Sequence, residues 1–253
     1  MTCLPTQTKK KMGLVIDLDT CVGCQACVTN CKEWNTGGHM APLTDTKPYE
    51  AEADGVWFNR VHTYEVSKSN GESSTLHFPR SCLHCEDAAC VTVCPTGASY
   101  KREADGIVLV NEDKCIGCKL CSWACPYGAR EYDIYEGVMK KCTLCIDRIY
   151  NKNLDVEDRV PACVLCCPTN ARHYGDLNDP LSNISKLVTS RNGQDLMPDM
   201  GYRPTNKYLP QREKVSATKQ KSLGKNKVLQ PIEDTSGAGN LLKWVDSMLE
   251  KIG

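Results

Sequence analysis

Large aromatic side chains are scarce in this sequence, with two phenylalanines and four tryptophans among 253 residues. Such rings dominate the area buried in most cores, so the interior is expected to be organised around something else. Long apolar runs are missing as well. Nothing approaches the ~18 consecutive apolar residues of a spanning helix, so any membrane attachment is expected to come from a partner. The opening stretch MTCLPTQTKKKMGLVID is polar and lysine-rich, without an apolar signal segment ahead of the first cysteines. There is no Ser/His/Asp set, no phosphate-binding loop and no dinucleotide glycine fingerprint. A substrate site of its own, and hence a catalytic role, is not expected. Charge is balanced, with 31 Lys and Arg against 31 Asp and Glu.

What the chain has in excess is cysteine, eighteen in all. An even count is compatible with disulfides, but these thiols sit in tight C-x-x-C groups, which suit metal ligation better than bridges between distant strands. Thiolates rather than thiols bind metal. Four oxidised [4Fe–4S] cubanes at about −2 each would take the loaded protein to roughly −8, so the balanced charge describes only the apoprotein.

Sixteen of the eighteen cysteines form four motifs. The first, CVGCQACVTNC, holds Cys21, Cys24, Cys27 and Cys31. The second, CLHCEDAACVTVCP, holds Cys82, Cys85, Cys90 and Cys94, with a widened middle gap. The third, CIGCKLCSWACP, returns to the first spacing with Cys115, Cys118, Cys121 and Cys125. The fourth is split, with CTLC giving Cys142 and Cys145 and CVLCCP following after 17 residues. A tight C-x2-C-x2-C loop can wrap three thiolates around one cubane, while the cysteine of x3-C-P points away to a neighbouring cluster. Strand-like segments follow three motifs at 98–102, 129–135 and 171–177. This is the bacterial two-cluster ferredoxin pattern, present twice.

The fourth motif offers two registers, because Cys163 is followed by both Cys166 and Cys167. Aligning it on the other motifs requires C-x3-C-P, so that CPTNA matches CPTGA and CPYGA. That selects Cys163 and Cys167. Cys166 is then a small apolar side chain beside the cluster, and Cys3 is also left over. Zinc is the chemical rival, since Cys142, Cys145, Cys163 and Cys166 alone would satisfy zinc spacing. Three cysteines at x2 intervals followed by x3-C-P do not.

With these motifs, and with SCLHCEDAAC, DGIVLVNEDKCIGC, ACPYGARE and KCTLCIDR, residues 13–180 resemble the four-cluster electron-transfer subunits of molybdopterin oxidoreductases of the dimethyl sulfoxide reductase family. The resemblance implies an α+β fold of two ferredoxin-like modules, one inserted in the other. Module one would comprise residues 13–35 and 136–180, with a linker and β-hairpin at 36–75. Module two would span 76–135, and 181–253 would form an extended arm with an amphipathic helix.

The resemblance also implies four [4Fe–4S] clusters. Cys21, Cys24, Cys27 and Cys167 would hold one, and Cys31, Cys142, Cys145 and Cys163 its neighbour. In the inserted module, Cys82, Cys85, Cys90 and Cys125 would hold a third, and Cys94, Cys115, Cys118 and Cys121 the fourth. Lys32, where the pattern has proline after Cys31, is a departure. The partners implied are a molybdopterin catalytic subunit and an integral membrane subunit reacting with quinone. The expected location is cytoplasmic, on the inner face of the membrane through a partner, with export on a partner's signal as the alternative.

The tail MPDMGYRPTNKYLPQR is similar to the iron–sulfur subunit of cytoplasmic sulfite dehydrogenases, with the polysulfide and dimethyl sulfoxide reductase type next. A soluble polyferredoxin serving another oxidoreductase is the other class of reading. Outside the ligands, Lys119 lies between Cys118 and Cys121 and is expected to raise the potential of the nearby cluster. His84 is expected beside a cluster or at the surface. The stretch 203–227 carries eight Lys and Arg and one Glu; with one aromatic and no nucleic-acid fold, it points to a partner subunit rather than to nucleic acid. Leu241, Trp244, Val245, Met248, Leu249 and Ile252 mark an apolar helical stripe, expected to dock on a partner.

Overall fold

The computed structural model describes residues 3–36, 55–67 and 73–212. Strand β1 (Met12–Asp17) lies between two partners. It pairs antiparallel with β8 (Arg172–Asp176), from the far end of the motif region, and parallel with β9 (Lys207–Leu209). Flanked on both sides, its run Leu14, Val15 and Ile16 is wholly buried, as an uninterrupted apolar strand should be.

Each motif supplies a loop and a short helix. Helix α1 (Ala26–Asn35) follows the first, α2 (Ala89–Thr92) lies in the second and α3 (Leu120–Trp123) in the third. Helices α4 (Ile146–Ile149) and α5 (Ala162–Leu165) belong to the split fourth motif. Helix α1 packs on α5, and α2 on α3. After the second motif, β4 (Ser99–Lys101) and β5 (Val108–Val110) form a hairpin. After the third, β6 (Glu131–Asp133) and β7 (Val138–Lys140) form another. The strand-like segments read after three motifs therefore correspond to β4, β6 and β8.

The expected hairpin is present between 55 and 81. Strand β2 (Asn59–Ser67) pairs antiparallel with β3 (Ser73–Ser81), from Asn59↔Ser81 to Ser67↔Ser73. Its base is buried among the motifs and its far end alternates between half-buried and exposed. Both β3 and the β6–β7 hairpin run across the divisions suggested at 75/76 and 135/136. Strand pairing is continuous there, and Asp133 Oδ1 accepts the amide N–H of Tyr135 at 3.0 Å to close the second turn.

The segment after 180 requires a correction along its first part. Helix α6 (Asn183–Ser190), capped by the Ser182 hydroxyl, buries Ile184 against Val15 and Leu209. Arg191 pairs with the buried Asp17 at 3.0 Å. Asn206 accepts the Leu14 amide N–H at 2.8 Å and donates to the Cys82 carbonyl at 3.0 Å, joining β1 to the second motif. Tyr208, read as one aromatic in a basic stretch, is completely buried. Residues 181–209 are thus part of the cluster-bearing fold rather than a free arm. The stripe at 241–252 lies outside the described residues. Among the described residues, no helix is long and apolar enough to cross a membrane.

Candidate metal centre

The motif loops share one backbone device. The residue before the second cysteine of each motif has positive φ, with Gly23 at 67°, His84 at 49°, Gly117 at 65° and Leu144 at 56°. This left-handed step turns the chain so that successive thiols converge. Glycine adopts it freely, whereas His84 and Leu144 hold it at a cost of roughly 1 kcal/mol each. A Cβ at Gly117 would also come within 2.4 Å of the Gly137 carbonyl. A second left-handed residue follows each Cys-Pro pair, namely Gly97, Gly128 and Asn170, and releases the chain into β4, β6 and β8.

Two of the cysteines that precede a proline accept backbone N–H groups from the chain that follows them. Cys94 Sγ accepts the Ser99 amide N–H at 3.3 Å, and Cys167 Sγ accepts that of Ala171 at 3.3 Å. Each also has the hydroxyl of a threonine two residues on within 3.8 Å. Cys21, Cys24, Cys27 and Cys167 line a single small cavity that opens to solvent. Val61 and Pro79 from the β2–β3 hairpin wall one side of it. Cys166 is not among its lining residues; it packs half-buried against the main apolar core, its thiol pushed up to about 11 mainly by burial.

The other thiols also approach one another. Asn35 Nδ2 lies 3.6 Å from both Cys31 Sγ and Cys145 Sγ, and Cys31 is in electrostatic reach of Cys142, Cys163 and Cys145. Cys85 is in reach of Cys82, Cys125 and Cys90. Cys115, which accepts the Met139 amide N–H at 3.3 Å, is in reach of Cys121. Cys118 is exposed, and Cys94 and Cys118 lie at the ends of α2 and α3, which pack together. Cys3 is exposed. No three His, Cys, Asp or Glu side chains among the described residues close on a single ion; a cubane instead distributes four thiolates over four irons.

The surroundings fit a buried anionic sulfur group. Arg130, Lys141, Arg148 and Arg172 are buried, and none has a carboxylate partner among the described residues. Burial disfavours unpaired charge strongly. The bare thiols of Cys31, Cys85, Cys163 and Cys142 cannot supply the counter-charge, because burial pushes the first three well up and Cys142 up to about 12. Deprotonated thiolates on iron would. Buried donors also await acceptors: Arg130 Nε and Nη1, Arg172 Nη1 and His84 Nε2 have no hydrogen-bond partner in the structure.

His84 is fully buried, which removes the surface reading. Its Nδ1 accepts the Val108 amide N–H at 3.1 Å, and burial drives its pKa well down. The ring is therefore neutral, with the proton on the unpartnered Nε2. Lys32 accounts for the missing proline. Helix α1 continues through it, and its ammonium turns inward to the Val56 carbonyl at 2.9 Å and over the Trp57 ring at 4.9 Å. Lys119 is exposed, its ammonium 4.0 Å above the Tyr132 ring. Trp34 donates to Asp147 at 2.9 Å and stacks under Arg148. Arg130 and Arg172 were missed in the sequence, although CPYGAR and CPTNAR place an arginine at the same step of two motifs.

The chain is similar to known proteins. The family described as 4Fe-4S dicluster domain matches residues 73–177. The sequence is 59% identical to the B subunit of sulfite dehydrogenase from Allochromatium vinosum over 203 residues, which are 80% of this chain and 84% of that protein. It is 39% identical to the B subunit of anaerobic dimethyl sulfoxide reductase from Escherichia coli over 174 residues, 66% of this chain and 74% of that one. The B subunit of polysulfide reductase from Wolinella succinogenes is 36% identical over 204 residues, covering 80% of this chain and 96% of its own length.

Proposed function

This protein belongs to the iron–sulfur subunits of the sulfite dehydrogenase, dimethyl sulfoxide reductase and polysulfide reductase family, and from that premise we propose that it carries electrons in a sulfite-oxidising complex. It would link a molybdopterin catalytic subunit to a membrane subunit that reacts with quinone, on the cytoplasmic face. Four [4Fe–4S] clusters would be held by the four cysteine sets named from the resemblance. Bound clusters supply one-electron storage; the protein supplies ligands, spacing and tuning.

The observation that carries this reading is the cavity ringed by Cys21, Cys24, Cys27 and Cys167. It joins residues from the two ends of the motif region at one ligand set. The β1–β8 pairing and the packing of α1 on α5 join the same two ends, with α2, α3 and their hairpins between them in sequence. Both support one module nested in another. Sulfite is favoured over the related substrates by the 59% identity over most of both chains.

An apolar surface supports docking of an electron partner at the set Cys94, Cys115, Cys118 and Cys121. Val93, Ile116, Leu120 and Trp123 are exposed there, Trp123 at 87%. An uncovered tryptophan between ligands fits a protein interface better than open water. The test is to isolate the protein with its partners and count metal. About sixteen iron and sixteen acid-labile sulfide per chain are expected for four cubanes, with a molybdopterin subunit co-purifying and sulfite reducing the clusters. Stoichiometric zinc without sulfide would overturn the cluster reading. Clusters that polysulfide or dimethyl sulfoxide turnover oxidises, and sulfite leaves oxidised, would move the assignment to those complexes.

A further inference from the structure

The internal repeat distributes arginine unevenly. The position after CP-x-Gly/Asn-Ala is Ser99 in the second motif, Arg130 in the third and Arg172 in the fourth. Each proposed module thus holds one arginine at this step, and both side chains are buried.

Arg130 Nη2 donates to Cys90 Sγ at 3.0 Å and to Ser99 Oγ at 2.7 Å, so the serine of one repeat receives the arginine of another. The same guanidinium is in electrostatic reach of Cys121. Cys90 and Cys121 belong to different ligand sets of the inserted module. Arg172 repeats the arrangement in the other module. It lines the cavity of Cys21, Cys24, Cys27 and Cys167, and it is in electrostatic reach of Cys163 and Cys31 of the neighbouring set. Its Nη2 is fixed by Asn59 Oδ1 at 2.7 Å, and its Nη1 has no partner in the structure.

We propose that Arg130 and Arg172 are paired potential-setting residues, each guanidinium raising the potentials of both clusters in its own module. The inference rests on the four-cluster reading above. Cluster potentials respond to net charge, to hydrogen bonds on sulfur and to solvent exposure. A buried, always-charged guanidinium acts through the first two and is little screened by salt. Coulomb interaction falls with distance, so the effect is confined to the two sets within reach of each arginine.

The test uses the holo-complex carrying Arg130→Gln, Arg172→Gln and the corresponding lysine variants, with iron and sulfide counted before an EPR-monitored redox titration. With full iron, each glutamine variant should lower two of the four midpoints, and the two variants should lower complementary pairs. Lysine, which keeps the charge but not the fork, should lower the same pair by less. Full iron with four unchanged midpoints, a single midpoint moved, or all four moved alike would overturn the proposal. If a glutamine variant loses iron, the lysine variant decides by the same criteria. Loss of iron in both would make the arginine a folding requirement and overturn its role in tuning. A wild-type protein without about sixteen irons would instead defeat the four-cluster reading on which this one stands.

Discussion

Tyr208 lies nearly parallel to Phe78, with ring centroids 4.6 Å apart and planes 18° apart, and its hydroxyl donates to the Pro79 carbonyl at 2.9 Å. This joins the short strand β9 to the hairpin that covers one cysteine cavity, while Asn206 ties the same segment to β1 and to Cys82. In a chain with so few large rings, the pair is a central part of the core. Tyr208→Ala should cost about 3–5 kcal/mol, the usual loss for a fully buried large aromatic. Deleting 200–253 should abolish cluster assembly, whereas deleting 213–253 should leave iron content unchanged. Iron analysis of the two truncations checks this; equal iron in both would remove β9 from the cluster fold.

The backbone N–H contacts to the sulfurs of Cys94 and Cys167, each before a proline, give a second expectation. Cys167→Ser should lose or convert one cluster, reducing iron from about sixteen to between about twelve and fifteen. Cys166→Ser should keep all the iron and the electron transfer, because that thiol packs against the apolar core and does not line the cavity. The reverse pattern would put the fourth motif in the other register.

Local patterns were the legible part of this molecule. The cysteine spacing identified the family, and the short segments after each Cys-Pro pair, along with the expected hairpin ahead of the second motif, became strands. What stayed hidden depended on distant loops meeting. Strand β9 has three residues and no periodicity of its own, and pairs with a strand nearly 200 positions away. Nothing local in TNKYL says that Asn206 satisfies a β1 amide. Arg130 and Arg172 looked like ordinary strand-edge arginines, because their burial follows from thiols contributed by other motifs. His84 stood next to cysteines, yet it is β5 and the distant Thr205 that meet it.

His62 offers a test by pH. Burial, aided by the positive charge of Arg80 and Arg60, pushes its pKa down to about 4. The folded protein therefore binds this proton more weakly than the unfolded chain does. The stabilising contribution is complete above the ordinary histidine value near 6.5 and is lost as pH falls toward 4. Its size is roughly 2 kcal/mol after discounting partial solvent exposure. Thermal melts of the holoprotein should fall over this window, and His62→Gln should flatten that part of the decline. An unchanged slope in the variant would assign the acid sensitivity to other groups.

Lys119 sits beside Cys118 and Cys121 in sequence, but its ammonium rests 4.0 Å above the Tyr132 ring on the exposed side of the third motif. Reduction adds negative charge, so Lys119→Glu should still make the neighbouring cluster harder to reduce. Water and salt screen an exposed charge far more than a buried one. The shift should therefore be on the order of a few tens of millivolts, below the roughly 59 mV that a tenfold change represents for one electron. Its sign should match that of Arg130→Gln and its size should be smaller, in one cluster rather than two. Raising the ionic strength should shrink the Lys119 effect and leave the Arg130 effect nearly unchanged. A Lys119→Glu shift that equals the Arg130→Gln shift and persists in high salt would mean that the ammonium leaves Tyr132 for the thiolates when the cluster is bound.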